Sequence, residues 1–130
     1  MNVKEIMSFP AITEDEEASV TVILKHMANS RIGCVVITKA GKPAGITVDH
    51  DIASKVMMKD RDPDKVKVKE IMSSPLITVA ADTTVEDACG LLAREGLRRL
   101  PVIDDGELVG IVSIRNVLTG ESVHVKKYSF

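Results

Sequence analysis

The sequence predicts an α+β fold made from two copies of one unit, and three observations predict it. The stretch Val3–Ser8 recurs letter for letter as Val68–Ser73, an offset of 68 − 3 = 65 residues. Short runs rich in Val and Ile flank glycine-containing turns, which is typical of β-hairpins. Apolar residues also recur at helical spacing ahead of those runs. We therefore expect each copy to run in the order strand, helix, strand, strand, helix.

The repeat extends over nearly half the chain without a gap. The same offset of 65 relates Pro10 to Pro75, Gly41 to Gly106 and Gly45 to Gly110, and this constancy indicates two copies of one supersecondary unit. The expected divisions are repeat 1 over residues 1–58, a charged and solvated linker over 59–67, repeat 2 over 68–119 and a tail over 120–130. A unit of half this length is near the lower limit for independent stability, so we expect the copies to share one core.

The elements of the first copy follow from its turn residues and apolar spacing. Pro10 ends a helical turn, and the acidic Glu16 and Glu17 suit the first turn of an amphipathic helix. The expected order is a helical turn over 3–7, an extended piece over 11–14, a helix opened by Glu16 and Glu17, strands over 32–38 and 44–48 around the turn 40–42, and a helix starting at Asp49.

The second copy repeats this plan with clearer boundaries. Gly96 suits the C-terminal end of a helix over 84–94, and Gly106 suits a turn with positive φ between strands over 100–103 and 108–114. Ser113 is a good N-cap for a last helix that runs through residue 118. The tail alternates Val with polar residues after Gly120, which fits either a short edge strand or a flexible end.

Composition excludes several classes of function. The net charge is −2 and aromatic residues make up 2% of the chain, which argues against a general affinity for nucleic acid or for a membrane surface. No apolar run approaches the roughly 20 residues that span a bilayer, and no signal-peptide core opens the chain, so we expect a cytoplasmic protein. Cys34 and Cys89 are expected to be small core or near-core residues, and the spacing of the histidines predicts no metal site.

Three arginines surround the point where the last predicted strand meets its helix. These are Arg98, Arg99 and Arg115. The free N–H groups and dipole at a helix N-terminus favour anions, so this cluster is a candidate phosphate site. The alternative is that all three are solvated surface charges.

These features together resemble a tandem pair of cystathionine-beta-synthase (CBS) domains over residues 3–118. The resemblance is carried by the order of elements and by LPVIDDGELVGIVS in the second copy and VVITKAGKPAGITV in the first. It implies two repeats related by a pseudo-twofold axis and packed through their sheets into one Bateman module. It also implies a homodimer and two clefts that bind adenine nucleotides or related adenosyl ligands and control a partner.

The family's binding motif is Gly, two apolar residues, Thr or Ser, two variable residues, then Asp. The resemblance implies that Gly gives a ligand close access to the backbone, that the hydroxyl binds ribose or phosphate, and that the Asp accepts from the ribose hydroxyls. The first copy keeps Asp51 but has Val48 in place of the hydroxyl. The second copy keeps Ser113 but has Asn116 in place of the Asp.

The resemblance further implies that one cleft combines groups from both repeats. Asp51 would accept from a ribose diol while Arg98, Arg99 and Arg115 bind the phosphate. The opposite cleft would combine Asn116 and Ser113 with Gly33, Cys34 and His50, and we expect it to be weak or empty because it has little positive charge. The base is expected to contact apolar walls and main-chain groups at Ile12, Thr13, Val36, Ile77, Thr78 and Pro101.

The function that this resemblance implies is a regulatory sensor of AMP, ADP or ATP that acts on a separate, unidentified partner protein as an energy sensor does. One alternative is a ligand-free structural or dimerisation module, and another is a binder of an S-adenosylmethionine-type ligand. An enzyme is disfavoured because the sequence offers no nucleophile paired with a base, no paired carboxylates and no metal cluster. No cofactor is expected to be required.

Overall fold

Both sequence copies contain the order strand, helix, strand, strand, helix in the computed structural model, which describes residues 1–129, and the first copy has one further short strand ahead of it. This confirms the α+β prediction. The strands are β1 (Ser8–Phe9), β2 (Thr13–Asp15), β3 (Cys34–Lys39), β4 (Lys42–Val48), β5 (Val79–Ala80), β6 (Arg99–Asp104), β7 (Glu107–Ser113) and β8 (Val123–His124). The helices are α1 (Val20–Ser30), α2 (Asp49–Ile52), α3 (Val85–Glu95) and α4 (Ile114–Thr119). Short 3₁₀ turns cover Val3–Glu5 and Val68–Glu70, and a π-helical turn over Ala53–Met57 continues α2.

Both hairpins turn on two residues in the left-handed region. Asp105 and Gly106 have φ of 50° and 80° between β6 and β7, and Ala40 and Gly41 have φ of 51° and 78° between β3 and β4. A two-residue turn with positive φ at both positions matches the twist of the flanking strands. The predicted hairpins are therefore confirmed, including the role of Gly106.

The caps of the later helices agree with the sequence prediction. The hydroxyl of Ser113 accepts from the backbone N–H of Asn116 over 3.1 Å at the start of α4. Gly96 adopts a left-handed conformation with φ of 64° at the end of α3, as a C-terminal glycine should.

The predicted start of α1 is wrong. The helix begins at Val20, because the hydroxyl of Ser19 accepts from the N–H of Val22 and caps it there. Glu17 lies before the helix and forms ion pairs with Lys67 and Lys69, whose Nζ atoms lie 2.8 and 2.7 Å from its carboxylate oxygens. Hydrogen bonds from these two lysines lower the pKa of Glu17 to about 2.

The described chain divides into two compact units that exchange their leading segments relative to the sequence repeats. One, called the 77–125 unit, comprises Ile77–Val125 together with Met1–Ala11. The other, called the 12–76 unit, comprises Ile12–Leu76 and the described residues from Lys126 onwards. Each leading copy of the repeated hexapeptide thus packs on the sheet of the other sequence copy.

The 77–125 unit contains a five-stranded mixed sheet in the order β5-β6-β7-β1-β8. The tail forms β8, which runs parallel to β1 at the edge of this sheet, so the edge-strand alternative is confirmed. Its core comprises Val3, Ile6, Met7, Val79, Ala81, Ala88, Leu92, Leu100, Val102 and Val112. The leading segment therefore supplies core residues as well as a strand.

The 12–76 unit contains a three-stranded sheet in the order β2-β3-β4. Ser73 forms an antiparallel bridge with Ile46 of β4, in the place that Ser8 takes beside Ile111 of β7. The predicted solvated linker is in part a packed segment, because Val66 is buried and its carbonyl accepts from the N–H of Val20 over 2.9 Å. Charge alone did not predict this contact.

Candidate functional site

The first motif copy lies where β4 ends and α2 begins, and its terminal Asp51 is buried. Asp51 is only 6% exposed. Its Oδ2 accepts from the backbone N–H of Val48 over 2.9 Å, which caps the first turn of α2. Its Oδ1 lies 3.2 Å from Nζ of Lys55, one turn further along. The carboxylate is thus oriented by the backbone and neutralised by one lysine.

A hydroxyl lies next to the position where the motif expects one, but it faces the interior. Thr47 precedes Val48 on β4, and successive strand residues point to opposite faces. The Thr47 side chain is 0% exposed, and its Oγ1 has no hydrogen-bond partner among the described residues. The Thr47 hydroxyl therefore does not replace the one that Val48 lacks.

The two motif glycines face the chain's own backbone. A Cβ built on Gly45 would lie 2.8 Å from the carbonyl oxygen of Ser73, and one on Gly110 would lie 2.6 Å from that of Ser8. These two glycines therefore let the chain's own leading segments approach closely. On the side that a Cβ would occupy, the space is filled by the leading segments.

The second motif copy ends in a side chain that is fully used by the fold. Asn116 is 2% exposed. Its Oδ1 accepts from the N–H and the hydroxyl of Ser113, both over 2.9 Å. Its Nδ2 donates to Oγ of Ser8 over 3.2 Å and to the carbonyl of Glu121 over 3.1 Å. An amide has two acceptor and two donor positions, so none is left for a ligand.

The backbone brings the three arginines together around the start of α4. The carbonyl of Arg98 accepts from the N–H of Ile114 over 3.0 Å, and Arg99 pairs with Ser113 across the β6–β7 ladder. Arg115 is the second residue of α4. Arg98 and Arg115 are exposed and Arg99 is half-buried, so their guanidinium groups are within reach of a ligand in solution.

The remaining expected contact residues fall into two local groups. In the 12–76 unit, Ile12 and Val36 are buried, Thr13 and Val48 are half-buried and His50 is exposed. The carbonyl of Ile12 accepts from the N–H of Val36 over 3.0 Å, so these two are brought together. In the 77–125 unit, Pro101 is buried, Ile77 is half-buried and Thr78 is exposed. The expectation that one ligand contacts both Asp51 and the arginines stays a prediction for binding measurements.

Sequence reasoning missed Lys55. Its Nζ lies 3.2 Å from Oδ1 of Asp51 and donates to the carbonyl of Ile71 over 2.9 Å. The signal was present in the spacing, because an acid and a base four residues apart lie on one face of a helix. Lys55 lies beyond the end of the motif, which closes at Asp51.

The fold and the two motif copies define a class of proteins in which one β-α-β-β-α unit occurs twice in tandem. Residues 3–58 and 68–121 match the CBS domain. The chain belongs to the CBS domain family, as a tandem CBS pair. An uncharacterised protein of Methanopyrus kandleri is 37% identical over 123 residues, which is 93% of this chain and 63% of that protein.

Solved structures of other CBS proteins have the same fold. A hexameric CBS-CP12 protein from bloom-forming cyanobacteria is similar with a TM-score of 0.87 and 30% identity, over 93% of this chain and 68% of that one. A candidate signal-transduction protein with CBS domains from Burkholderia ambifaria gives a TM-score of 0.80 and 28% identity, over 85% of this chain and 82% of that one.

Among the described residues, no helix is long and apolar enough to cross a membrane.

Proposed function

We propose that this CBS pair is a non-catalytic regulatory module that binds a phosphorylated adenosine ligand, AMP, ADP or ATP, and acts on a separate partner protein. The observation that carries the proposal is that the Asp51 carboxylate is held in place by the fold and still has lone pairs to offer. A carboxylate offers about four lone-pair positions, and here one backbone N–H and one half-exposed lysine use two of them. The remaining positions suit the two adjacent hydroxyls of a ribose, which is the role that the family resemblance gives to this Asp.

Charge favours a phosphorylated ligand over an S-adenosylmethionine-type one. The backbone positions of Arg98, Arg99 and Arg115 lie close to one another at the β7–α4 junction, which supports a positive cluster there. Guanidinium groups bind phosphate through charge-assisted hydrogen bonds, worth roughly 1.5–3 kcal/mol each. S-adenosylmethionine carries a net positive charge and a single carboxylate, so it would gain less from these arginines than a phosphorylated ligand.

The asymmetry between the motif copies supports one ligand per chain. Asn116 stands where the second ribose acceptor would be, and four hydrogen bonds within the 77–125 unit use it fully. Asp51 has no such closed network. We expect calorimetry to give a stoichiometry near one.

An alternative role as an assembly module is favoured by exposed apolar residues on the helical segments. Leu118 and Ile114 of α4 are exposed, as are Met57 and Met58 at the end of the turn that follows α2. Large exposed apolar groups are candidates for contact between chains. A homodimer is compatible with the sensor role, whereas assembly without any ligand is the competing proposal.

The deciding experiment is a thermal-shift screen against AMP, ADP, ATP, adenosine and S-adenosylmethionine, followed by calorimetry. A ligand at a hundred times its dissociation constant adds about 2.7 kcal/mol to the folded state, a rise of several degrees in Tm. We expect Asp51→Asn to remove the shift. The matched control is Asp49→Asn, which changes the same charge at an exposed position of the same helix and should leave the shift intact.

The arginine variant tests the phosphate. We expect Arg98→Ala to weaken AMP binding by about one to two decades, since each charge-assisted bond is worth roughly 1.5–3 kcal/mol, and to leave adenosine binding nearly unchanged. An unaltered AMP affinity would show that Arg98 has no part in binding. If no adenosine compound shifts the wild-type Tm, the ligand-free assembly module becomes the better account.

A further inference from the structure

Lys55 connects the candidate ribose acceptor to a main-chain carbonyl elsewhere in the 12–76 unit. Its ammonium group lies 3.2 Å from Oδ1 of Asp51 and donates to the carbonyl of Ile71 over 2.9 Å. The other oxygen of Asp51 is held by the N–H of Val48 at the start of α2. The backbone therefore fixes Asp51 through Oδ2, and Lys55 pairs with the other oxygen, Oδ1.

The second repeat shows that this lysine is particular to the first. Residue 55 corresponds to 55 + 65 = 120, which is glycine. There the polar group at the end of the motif, Asn116, is satisfied by Ser8, Ser113 and the carbonyl of Glu121. In the second repeat, the polar side chain at the end of the motif is thus satisfied by neutral groups. In the first repeat, it is paired with the charge of a flexible lysine side chain.

The two partners of the Asp51–Lys55 pair differ in freedom. The Asp51 side chain is 9% exposed, and its backbone cap holds it in the first turn of α2. The Lys55 side chain is 46% exposed, so its ammonium can turn into water without leaving a buried charge of its own. If another donor approaches Oδ1, Lys55 is the group that moves.

We propose that Lys55 is a displaceable internal counterion that competes with ribose hydroxyls for Oδ1 of Asp51. This inference rests on the proposed function, because it takes Asp51 as the ribose acceptor. Lys55 then lowers the affinity for every ribose ligand by the same factor, since each ligand must displace it. A ligand with phosphates offsets this loss through positive charge elsewhere, whereas adenosine does not, so adenosine binding reports the effect of the lysine most directly.

The test uses adenosine, because an uncharged ligand leaves the protein's own ion pair as the salt-sensitive contact. The Lys55 end of this ion pair is half-exposed, and an ion pair open to solvent is worth a factor of about two to five in an equilibrium constant. We expect Lys55→Met to tighten adenosine binding by about that factor in calorimetry at low salt. The matched control is Lys59→Met, an exposed lysine on the following segment, which should bind adenosine as the wild type does.

The salt dependence of adenosine binding gives a second measurement, which starts from the wild type. Raising ionic strength from about 0.05 M to about 0.5 M shortens the screening length and weakens the Asp51–Lys55 pair. We expect wild-type affinity for adenosine to rise, by less than the factor of about two to five that Lys55→Met gives, and Lys55→Met to show no such rise. If Lys55→Met proves too unstable to measure, the wild-type salt series together with Lys59→Met decides the question.

The outcomes separate this inference from the proposed function. Binding of adenosine that is unchanged or weakened in Lys55→Met, or wild-type affinity that stays flat or falls with salt, overturns the competition while the proposed function stands. Failure of every adenosine compound to bind the wild type overturns both. Tighter binding in Lys55→Met with loss of the salt dependence supports the inference.

Discussion

Replacing Thr47 by Val is expected to stabilise the protein. Thr47 lies on β4 opposite Val35, and both side chains are 0% exposed. Its hydroxyl has no hydrogen-bond partner in the part of the chain that the structure describes. Val has nearly the same shape and no hydroxyl. The second repeat supports the change, because Val112 stands at the equivalent position and is equally buried.

The magnitude follows from the desolvation of the hydroxyl. A buried polar group without a partner costs about 1–3 kcal/mol, and a valine should recover much of this. For a chain of this length, 1 kcal/mol corresponds to a shift in Tm of about 4 °C. We therefore expect Thr47→Val to raise the Tm by about 4–8 °C and to raise the urea midpoint without a change in the m-value.

The reciprocal variant makes the test symmetric. Val112→Thr places a hydroxyl at the equivalent position of β7 and should lower the free energy of unfolding by about 1–3 kcal/mol. Calorimetric and urea unfolding of both variants measure the two changes. If Thr47→Val melts at or below the wild-type temperature, the Thr47 hydroxyl is satisfied in solution and the reasoning is refuted.

Four further variants test three other features. Hydrogen bonds from Lys67 and Lys69 lower the pKa of Glu17 from 4.5 to about 2, so its carboxylate stabilises the fold above pH 4.5 and this contribution is lost as the pH falls to 2. Glu17→Gln removes the contribution, so its free energy of unfolding, measured by urea titrations between pH 4.5 and 2, should fall less steeply than that of the wild type. Gly110→Ala should lower stability by about 1–3 kcal/mol in thermal unfolding, because the added Cβ would overpack the leading segment. The control is Gly90→Ala inside α3, where a Cβ meets only the end of a flexible side chain at 3.4 Å. This change should raise stability by about 0.5–1 kcal/mol. Asn116→Asp should lower stability by about 2–3 kcal/mol at neutral pH, because a carboxylate cannot donate to the Glu121 carbonyl; the loss should shrink in acid, where a protonated carboxyl donates again.

The sequence was a good guide wherever the cause was local. The turn at Asp105 and Gly106, the cap at Ser113 and the helix end at Gly96 each depend on residues within a few positions of one another. The start of α1 was misjudged because two acidic residues suggested a first turn. The hydroxyl of Ser19 decides the start, and Glu17 is used by lysines about fifty positions away.

The candidate site was harder to predict because its chemistry depends on distant partners. The family motif located Asp51 and Asn116, but their difference became clear only from their contacts. Asn116 is satisfied by Ser8, which is 108 positions away in the sequence. No local pattern records which of the two identical hexapeptides packs against which sheet, so neither this contact nor the role of Gly110 could be predicted.

Because of the leading segments, the boundaries of the sequence repeats differ from the boundaries of the folded units. Ser8–Phe9 lies between β7 and β8, although it belongs by sequence to the first repeat. A fragment cut within the linker and running to the C-terminus would keep both neighbours of that strand and lose the strand itself. It would still carry Val68–Ser73, the same six letters. A half-length ancestor with one repeat could thus complete its sheet by exchanging this segment with a second copy. Fusion of the two copies end to end would then keep the exchange within one chain.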